Sequence, residues 1–324
     1  MSAQDVLVVA EIQRHALADI TLELLAAARA VTATSGGQVV CVVLSNDGTQ
    51  YVPALKAADR IVLINDPQLA DFAPEPCVTA VQQVVAAEQP RAVLVAGTSV
   101  GWDVAPLLAS RLHAPLVTGC KSIQADGQGL LVNASFCGGK MMAEVSVDRA
   151  PAVLMVMPGS FRAAAEGGAA QVETRTPTAP LEAGAVRFQD WVLPEAGDVD
   201  ITQQDILVAV GRGIQQKDNV ELAEELAQAL GGAVCASRPV VDQGWLPATR
   251  QVGKSGMTVK PRLYMAFGIS GAPEHWEGMQ NSKLIVAVNT DANAPIFDFA
   301  HYGICGDALE ILPALVEKIK ARKG

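Results

Sequence analysis

A series of short apolar runs constrains this chain more than any other feature: VLVVA, VVCVVL, IVLI, AVLVAG, AVLMVM, ILVAV, LYMAF and LIVAV. Each is bounded by turn-forming residues, and none alternates apolar with polar side chains. Runs of this kind suit strands buried on both faces, the environment of a parallel sheet covered by helices. Helical periods stand between several of them. In HALADITLELLAAARAV, the residues Leu17, Ile20, Leu24, Ala28 and Val31 form one apolar stripe. In KDNVELAEELAQAL, Val220, Ala223, Leu226, Ala227 and Leu230 do the same, and Asp218 followed by Glu221 resembles a capping box. Strands alternating with helices predict an α/β protein.

At 324 residues the chain has room for two domains, each with its own core. The alternation lapses between about 115 and 160, where GLLVNASFCGGKMMAEVSVDRAPAVLMVM reads as β-rich structure extending the first sheet. RAAAEGGAAQVETRTPTAPLEAGA lacks an apolar period and reads as a connection, VRFQDWVL as one more strand, and PEAGDVDITQQD as a linker. The boundary is therefore expected near residue 196. The expected domains are an N-terminal α/β domain over 1–195, with a mainly parallel sheet, and a C-terminal doubly wound parallel-sheet domain over 196–324.

Half of the residues are hydrophobic but only 4% are aromatic, so Val, Leu, Ile and Ala must build the cores. A net charge of −10 opposes general nucleic-acid binding, which needs basic surface to neutralise phosphates. No apolar run approaches the ~20 residues of a membrane span. MSAQDVLVVAE has too short an apolar stretch for a signal peptide, so a cytoplasmic protein is expected. The six cysteines are scattered without a CxxC pair, which predicts reduced, structural thiols and no metal site. Patterns for serine hydrolases, zinc proteases and EF-hands do not occur.

The chemistry-bearing residues collect where strands of the second series end. In an open parallel sheet, ligands bind beyond the carboxyl ends of the strands. ILVAV is followed by a glycine turn carrying Arg212, a pattern that suits phosphate but also simple close packing. It is not the dinucleotide fingerprint, because Gln216 takes the last glycine's place, and a P-loop is absent. The next strand ends in Ser237 and Arg238, a hydroxyl and a guanidinium suited to an anion or to a surface ion pair. RQVGKSGMTVKP can present Ser255 and backbone donors, or be an ordinary hairpin-like loop. LYMAF leads into GISGAPEHWEGM, where His275 stands among Glu274 and Glu277, and LIVAV ends in Asn289. Those glutamates could form a dyad with His275 or serve only as helix-start carboxylates. His15, His113 and His301 have no evident partners. Several turns converging on one crevice suit a large ligand with a pyrophosphate and polar rings at both ends.

In order and spacing, VGRGI, SRPVVDQGWLPATRQVGKSG, LYMAFGISGAPEH, IVAVNTDANAPIF and HYGICGDALEILPAL resemble the electron transfer flavoprotein α subunit. The match is close over roughly 201–318 and looser in the first domain, through LVVAE, LLASRL and the β-rich middle. The resemblance implies a heterodimer with an electron transfer flavoprotein β subunit. It also implies FAD held mainly by the C-terminal domain and single electrons passed from flavin dehydrogenases to a quinone-linked or other acceptor. Fatty acid β-oxidation is the implied setting, without a substrate conversion of the protein's own and without membrane insertion. A second nucleotide, AMP or FAD, is implied in the β subunit.

By the same resemblance, Arg212, Ser237, Ser270 and Asn289 match positions at the FAD phosphates and sugars. Gly268, Ile269, Gly271 and Ala272 complete the turn around Ser270, and Asp307 with Ala308 stands at the adenosine end. Gln251, Val252, Gly253, Lys254 and Ser255 match the turn at the isoalloxazine, Arg238 lies against the ring, and His275 is near its pyrimidine edge. Two departures matter. Ser255 replaces a common threonine, keeping the hydroxyl but losing the methyl that stiffens its rotamer. APEHWEG places acids near His275, which should favour the charged imidazole where they point at it. Where electron-bifurcating members would carry a TADC-like segment this chain reads LVTGCKS, which argues against bifurcation. The rival readings are an NAD- or FAD-dependent oxidoreductase with His275 as general acid, and a non-redox nucleotide-binding module.

Overall fold

The computed structural model describes residues 4–127, 129–137, 139, 141–164, 168–181, 183–190 and 199–323. The chain divides into two compact units, Met1–Trp191 and Val192–Gly324. The expected boundary near 196 and the start of its linker, residues 194–198, lie outside the described residues.

The first unit contains strands β1 (Val6–Val9), β2 (Ile12–Gln13), β3 (Ala16–Leu17), β4 (Val39–Ser45), β5 (Arg60–Asn65), β6 (Ala92–Ala96), β7 (Leu116–Asp126), β8 (Gly129–Phe136), β9 (Met141–Val147), β10 (Ala152–Val156) and β11 (Gln171–Arg175). Its helices are α1 (Ile20–Ser35), α2 (Pro74–Glu88) and α3 (Ser99–Leu112). Nine strands form one sheet in the order β11-β5-β4-β1-β6-β10-β7-β8-β9. Neighbours from β11 to β7 are parallel, and β7-β8-β9 are antiparallel. Strands β1, β6 and β10 are buried at every position, which is why their sequences do not alternate. Val6 and Val8 face one core with Leu24 and Leu25 of α1; Leu7 and Val9 face the other with Val81 of α2 and Leu108 of α3.

The second unit holds β12 (Ile206–Val210), α4 (Val220–Leu230), β13 (Ala233–Ala236), α5 (Arg238–Asp242), β14 (Leu263–Phe267), α6 (Pro273–Met279), β15 (Ile285–Asn289), β16 (Tyr302–Cys305) and α7 (Ala308–Lys323). Its five-stranded sheet has the order β13-β12-β14-β15-β16, parallel throughout. The chain winds one way from β12 to β13 and the other way from β14 onward. The topological switch point therefore lies between β12 and β14.

Four local expectations are corrected. The first apolar stripe begins one element too early: Leu17 belongs to β3 of a small antiparallel ribbon, and α1 starts at Ile20. Arg14 and His15 turn that ribbon with φ of 47° and 58°, outside helical space. Asp218 is not a cap: a 3-10 turn over Lys217–Asn219 leads into α4, and Asn219 at the N-cap makes no side-chain cap. VRFQDWVL forms no strand over 186–190, and its remainder lies outside the described residues.

The expected connection contains β11, which adds to the sheet beside β5 with its first four residues exposed. Charge holds it in place of apolar burial. Arg175 reaches the buried Glu88 at 2.5 Å, Arg60 reaches the same carboxylate at 2.9 Å, and Glu173 pairs with Arg175 at 2.7 Å. Burial raises the Glu88 pKa, but the two guanidiniums outweigh it and hold the carboxyl below the usual range. Beyond β11, Gln83 of α2 accepts from the Thr178 and Ala179 amides, and Leu181 is buried in the α2–α3 core.

Candidate functional site

The second unit opens at its switch point into a crevice of about 720 Å³, within the usual range for small-molecule sites. Glycine creates the opening. A Cβ on Gly211 would come within 2.2 Å of the Gly268 carbonyl oxygen, and one on Gly213 within 2.6 Å of the Gly268 Cα. Gly268 itself has φ +63°. The turns after β12 and β14 thus touch backbone to backbone, which keeps side chains out of the space between them. The close packing expected of the VGRG glycines is present, and Arg212 stands exposed above them.

Three further segments complete the wall. Ser237, buried at the end of β13, does not use its hydroxyl to cap α5. Arg238 is exposed and reaches Asp242 at 3.4 Å, a surface pair that contributes little and leaves the guanidinium mobile. The 251–255 turn is pinned against β13 and α6: the Val252 amide donates to the Ala236 carbonyl, and the Lys254 amide to the Glu274 carbonyl at 2.7 Å. Gly253 has φ +140°, and a Cβ there would meet the Glu274 carbonyl oxygen at 2.8 Å. Gln251 Nε2 donates to Ser255 Oγ at 3.1 Å, leaving that hydroxyl's own proton to donate elsewhere. Asn289 Nδ2 donates to the Ile269 carbonyl at 2.9 Å, fixing the amide at the end of β15.

The crevice gathers Arg212, Ser237, Arg238, Gln251, Val252, Gly253, Lys254, Ser255, Gly268, Ile269, Ser270, Ala272, His275 and Asn289. Gly271, Asp307 and Ala308 are not among its lining residues. Gly271, with φ +86°, lets the turn pass against Ile296, whose amide donates to the Ser270 carbonyl. Asp307 Oδ1 accepts from the Leu309 amide at the start of α7, and Ala308 is buried in the core. The lining also includes Gly213, Pro239 and Glu274, which belong to the same motifs.

His275 departs furthest from expectation. It is buried, its Nε2 lies 2.9 Å from the Tyr264 hydroxyl, and its Nδ1 is buried without a hydrogen bond of ordinary geometry. Burial pushes its pKa down to about 4, against a smaller raising influence of the Val252 backbone. The acids near it in sequence do not charge it: Glu274 is exposed, Glu277 is half-buried, and among the described residues neither pairs with the ring. Tyr264 went unseen in the sequence, although a tyrosine within a fully apolar strand signals a hydroxyl in need of a partner. His15, His113 and His301 lie outside the crevice lining. Cys41, Cys77, Cys120 and Cys235 are buried thiols as expected, whereas Cys137 and Cys305 are exposed. Among the described residues no group of three or more His, Cys, Asp or Glu could hold a metal ion.

The first unit has the same opening between β1 and β6, but side chains fill it. The remaining space, about 60 Å³, is lined by Ile12, Leu44, Tyr51, Leu69, Phe72 and Val104 among others. Glu11 at its rim accepts from Thr98 at 2.5 Å and Gln13 at 2.6 Å; burial still raises its pKa.

A doubly wound sheet with an open, glycine-lined switch point and converging polar groups defines a nucleotide-binding protein. Residues 6–181 match the electron transfer flavoprotein domain, and residues 200–280 match the electron transfer flavoprotein FAD-binding domain. An electron transfer flavoprotein subunit alpha of Thermoanaerobacterium thermosaccharolyticum is 35% identical over 99% of both chains. One of Mycobacterium tuberculosis is 38% identical over 99% of both. Protein FixB of Azotobacter vinelandii is 35% identical over 97% of this chain and 90% of its own length. The chain belongs to the electron transfer flavoprotein family, as an α subunit. It is thus an electron carrier rather than a substrate-converting enzyme, its cofactor is FAD, and membership implies a β subunit as partner. The crevice fits that cofactor: glycine turns admit close approach of a ligand to backbone, hydroxyl, amide and guanidinium donors suit phosphates and ring oxygens, and a buried imidazole nitrogen makes no hydrogen bond of ordinary geometry. Among the described residues no helix is long and apolar enough to cross a membrane.

Proposed function

We propose that FAD lies along the carboxyl ends of β12 to β15, in the second unit taken as a domain over 196–324. Arg212, Ser237, Ser270 and Asn289 hold its phosphates and sugars, and Gly268, Ile269, Gly271 and Ala272 shape the turn beneath them. Asp307 and Ala308 stand at the adenosine end. Gln251, Val252, Gly253, Lys254 and Ser255 face the isoalloxazine, Arg238 brings positive charge over the ring, and His275 offers an N–H at the pyrimidine edge. The observation that carries this reading is the convergence of the two glycine turns, the 251–255 turn and His275 on one crevice. FAD bound there supplies a centre that takes up and releases electrons one at a time. The residues' task is to place fixed donors and positive charge where negative charge develops, which tunes the potential without reorganisation.

The first domain, 1–195, serves as a platform for the β subunit. Flavin dehydrogenases, including those of fatty acid β-oxidation, are the donors, a quinone-linked oxidoreductase is the acceptor, and the heterodimer works in the cytoplasm. The test is purification of the heterodimer, with flavin content and potentials measured for the parent, Arg238→Ala and His275→Gln. A stoichiometric flavin whose two potentials move in both variants is the expected result. Unchanged potentials in both would sink the ring-side assignment.

A further inference from the structure

Beneath the crevice, three buried side chains form a line that the cofactor reading does not use. Cys235 Sγ lies 3.9 Å from the Tyr264 hydroxyl, which lies 2.9 Å from His275 Nε2. Sheet register builds this line. Cys235 pairs with Ala209 and Ala209 with Ala266, and Tyr264, two residues earlier on β14, shares that face. Cys235 and Tyr264 are both 0% exposed.

Protons can run along this line in two directions, from thiol through phenol to imidazole or from imidazole through phenol to sulfur, and we take the first. Burial pushes the Cys235 thiol up to about 12 and holds Tyr264 well above the usual phenol range, so both keep their protons. The thiol has a proton to give, and the phenol oxygen 3.9 Å away can accept it. With the line running from the thiol, the phenol O–H is left to donate to His275 Nε2, 2.9 Å away. A nitrogen that accepts cannot carry the ring's proton, so in the neutral imidazole that proton resides on Nδ1. Nδ1 is the buried atom without a hydrogen bond of ordinary geometry, and the Val252 backbone, on the crevice wall, favours a proton on the ring.

We propose that Tyr264, itself held by Cys235, is a positioning residue that fixes His275 as the Nδ1–H tautomer. His275 then meets the crevice as a directed neutral donor and not as a cation. The charged groups around it leave that state intact: Glu274 is an exposed part of the crevice lining, Glu277 is half-buried, Lys254 and Arg238 are exposed on the neighbouring turns, and Arg250 acts on the Cys235 thiol. The consequence for electron transfer rests on the proposed placement of the flavin ring beside His275, whereas the tautomer itself does not.

The test is nitrogen-15 NMR of histidine-labelled chain in the FAD-loaded heterodimer, between pH 6 and 8. With four histidines in this chain, His275→Gln identifies the resonances. In the parent, Nδ1 is expected to be protonated and Nε2 bare, unchanged across that range. Tyr264→Phe should lower the ratio of the two tautomers about tenfold, the loss of one buried hydrogen bond. An Nε2–H tautomer or an imidazolium in the parent at pH 7 overturns the proposal and needs no variant to fold. So do nitrogen shifts unmoved by Tyr264→Phe. If the nitrogen pattern is as expected but His275→Gln leaves the flavin potentials unchanged, the tautomer assignment stands and the ring-side placement falls.

Discussion

The two units begin from the same device and use it differently. Each is a sheet, mainly parallel in the first unit and wholly parallel in the second, whose winding reverses beside its first strand, between β1 and β6 in one and between β12 and β14 in the other. In the first unit Tyr51, Leu69 and Phe72 fill the opening down to about 60 Å³; in the second, Gly211, Gly213 and Gly268 leave about 720 Å³. Topology therefore supplies a place for a ligand, and the volume of the side chains after the strands decides whether one enters. A filled opening becomes core.

Gly268→Val should break the contrast with the largest effect. The residue has φ +63° and its Cβ would lie 2.7 Å from the Gly213 Cα, so a branched side chain is both strained and obstructed. Flavin should be absent from the purified heterodimer, and calorimetry should show the melting temperature lowered by roughly 5 °C or more. The reverse experiment is Tyr51→Ala, which empties the first unit's plug. It should cost about 3–5 kcal/mol in urea unfolding, with no second flavin in the absorbance stoichiometry.

A smaller effect separates the units by pH. The folded-state pKa of His275, about 4, lies below the ordinary histidine value near 6.5. The unfolded chain therefore binds the proton more readily. Stability should be whole above about pH 6.5, fall as the pH drops through that value, and level off below the folded pKa. At most about 3 kcal/mol is involved, and His275→Gln should remove that slope in denaturation curves taken between pH 7 and 4. The smallest effect belongs to Arg212→Ala: roughly tenfold weaker FAD binding, about 1.4 kcal/mol, with less salt dependence in a fluorescence titration.

The parts legible in the sequence were those governed by burial on both faces of a sheet. VLVVA, AVLVAG and LYMAF cannot be exposed strands, and they are not. Strand β11 was illegible because its sequence, QVETR, carries no apolar signal; its place is set by Glu88, 85 residues earlier than Glu173 and on another element. The crevice was legible in outline, since its residues sit in turns directly after strands. The state of His275 was not. Sequence shows the carboxylates beside it, whereas the phenol that meets it belongs to the preceding strand and reaches it only in the folded unit.

Strand β11 also bears on the order in which this chain is made. After β10 the backbone must travel past β6, β1, β4 and β5 to reach the far edge, so the last strand synthesised completes the side of the sheet laid down early. Until residue 175 has left the ribosome, β5 remains an unpaired edge and Glu88 lacks one of its two cations. A nascent first unit is thus exposed to wrong pairing along β5 for as long as translation takes to supply its own strand. A pause in synthesis shortly before that point would lengthen the hazard, and one shortly after residue 181, when Leu181 can also dock, would end it.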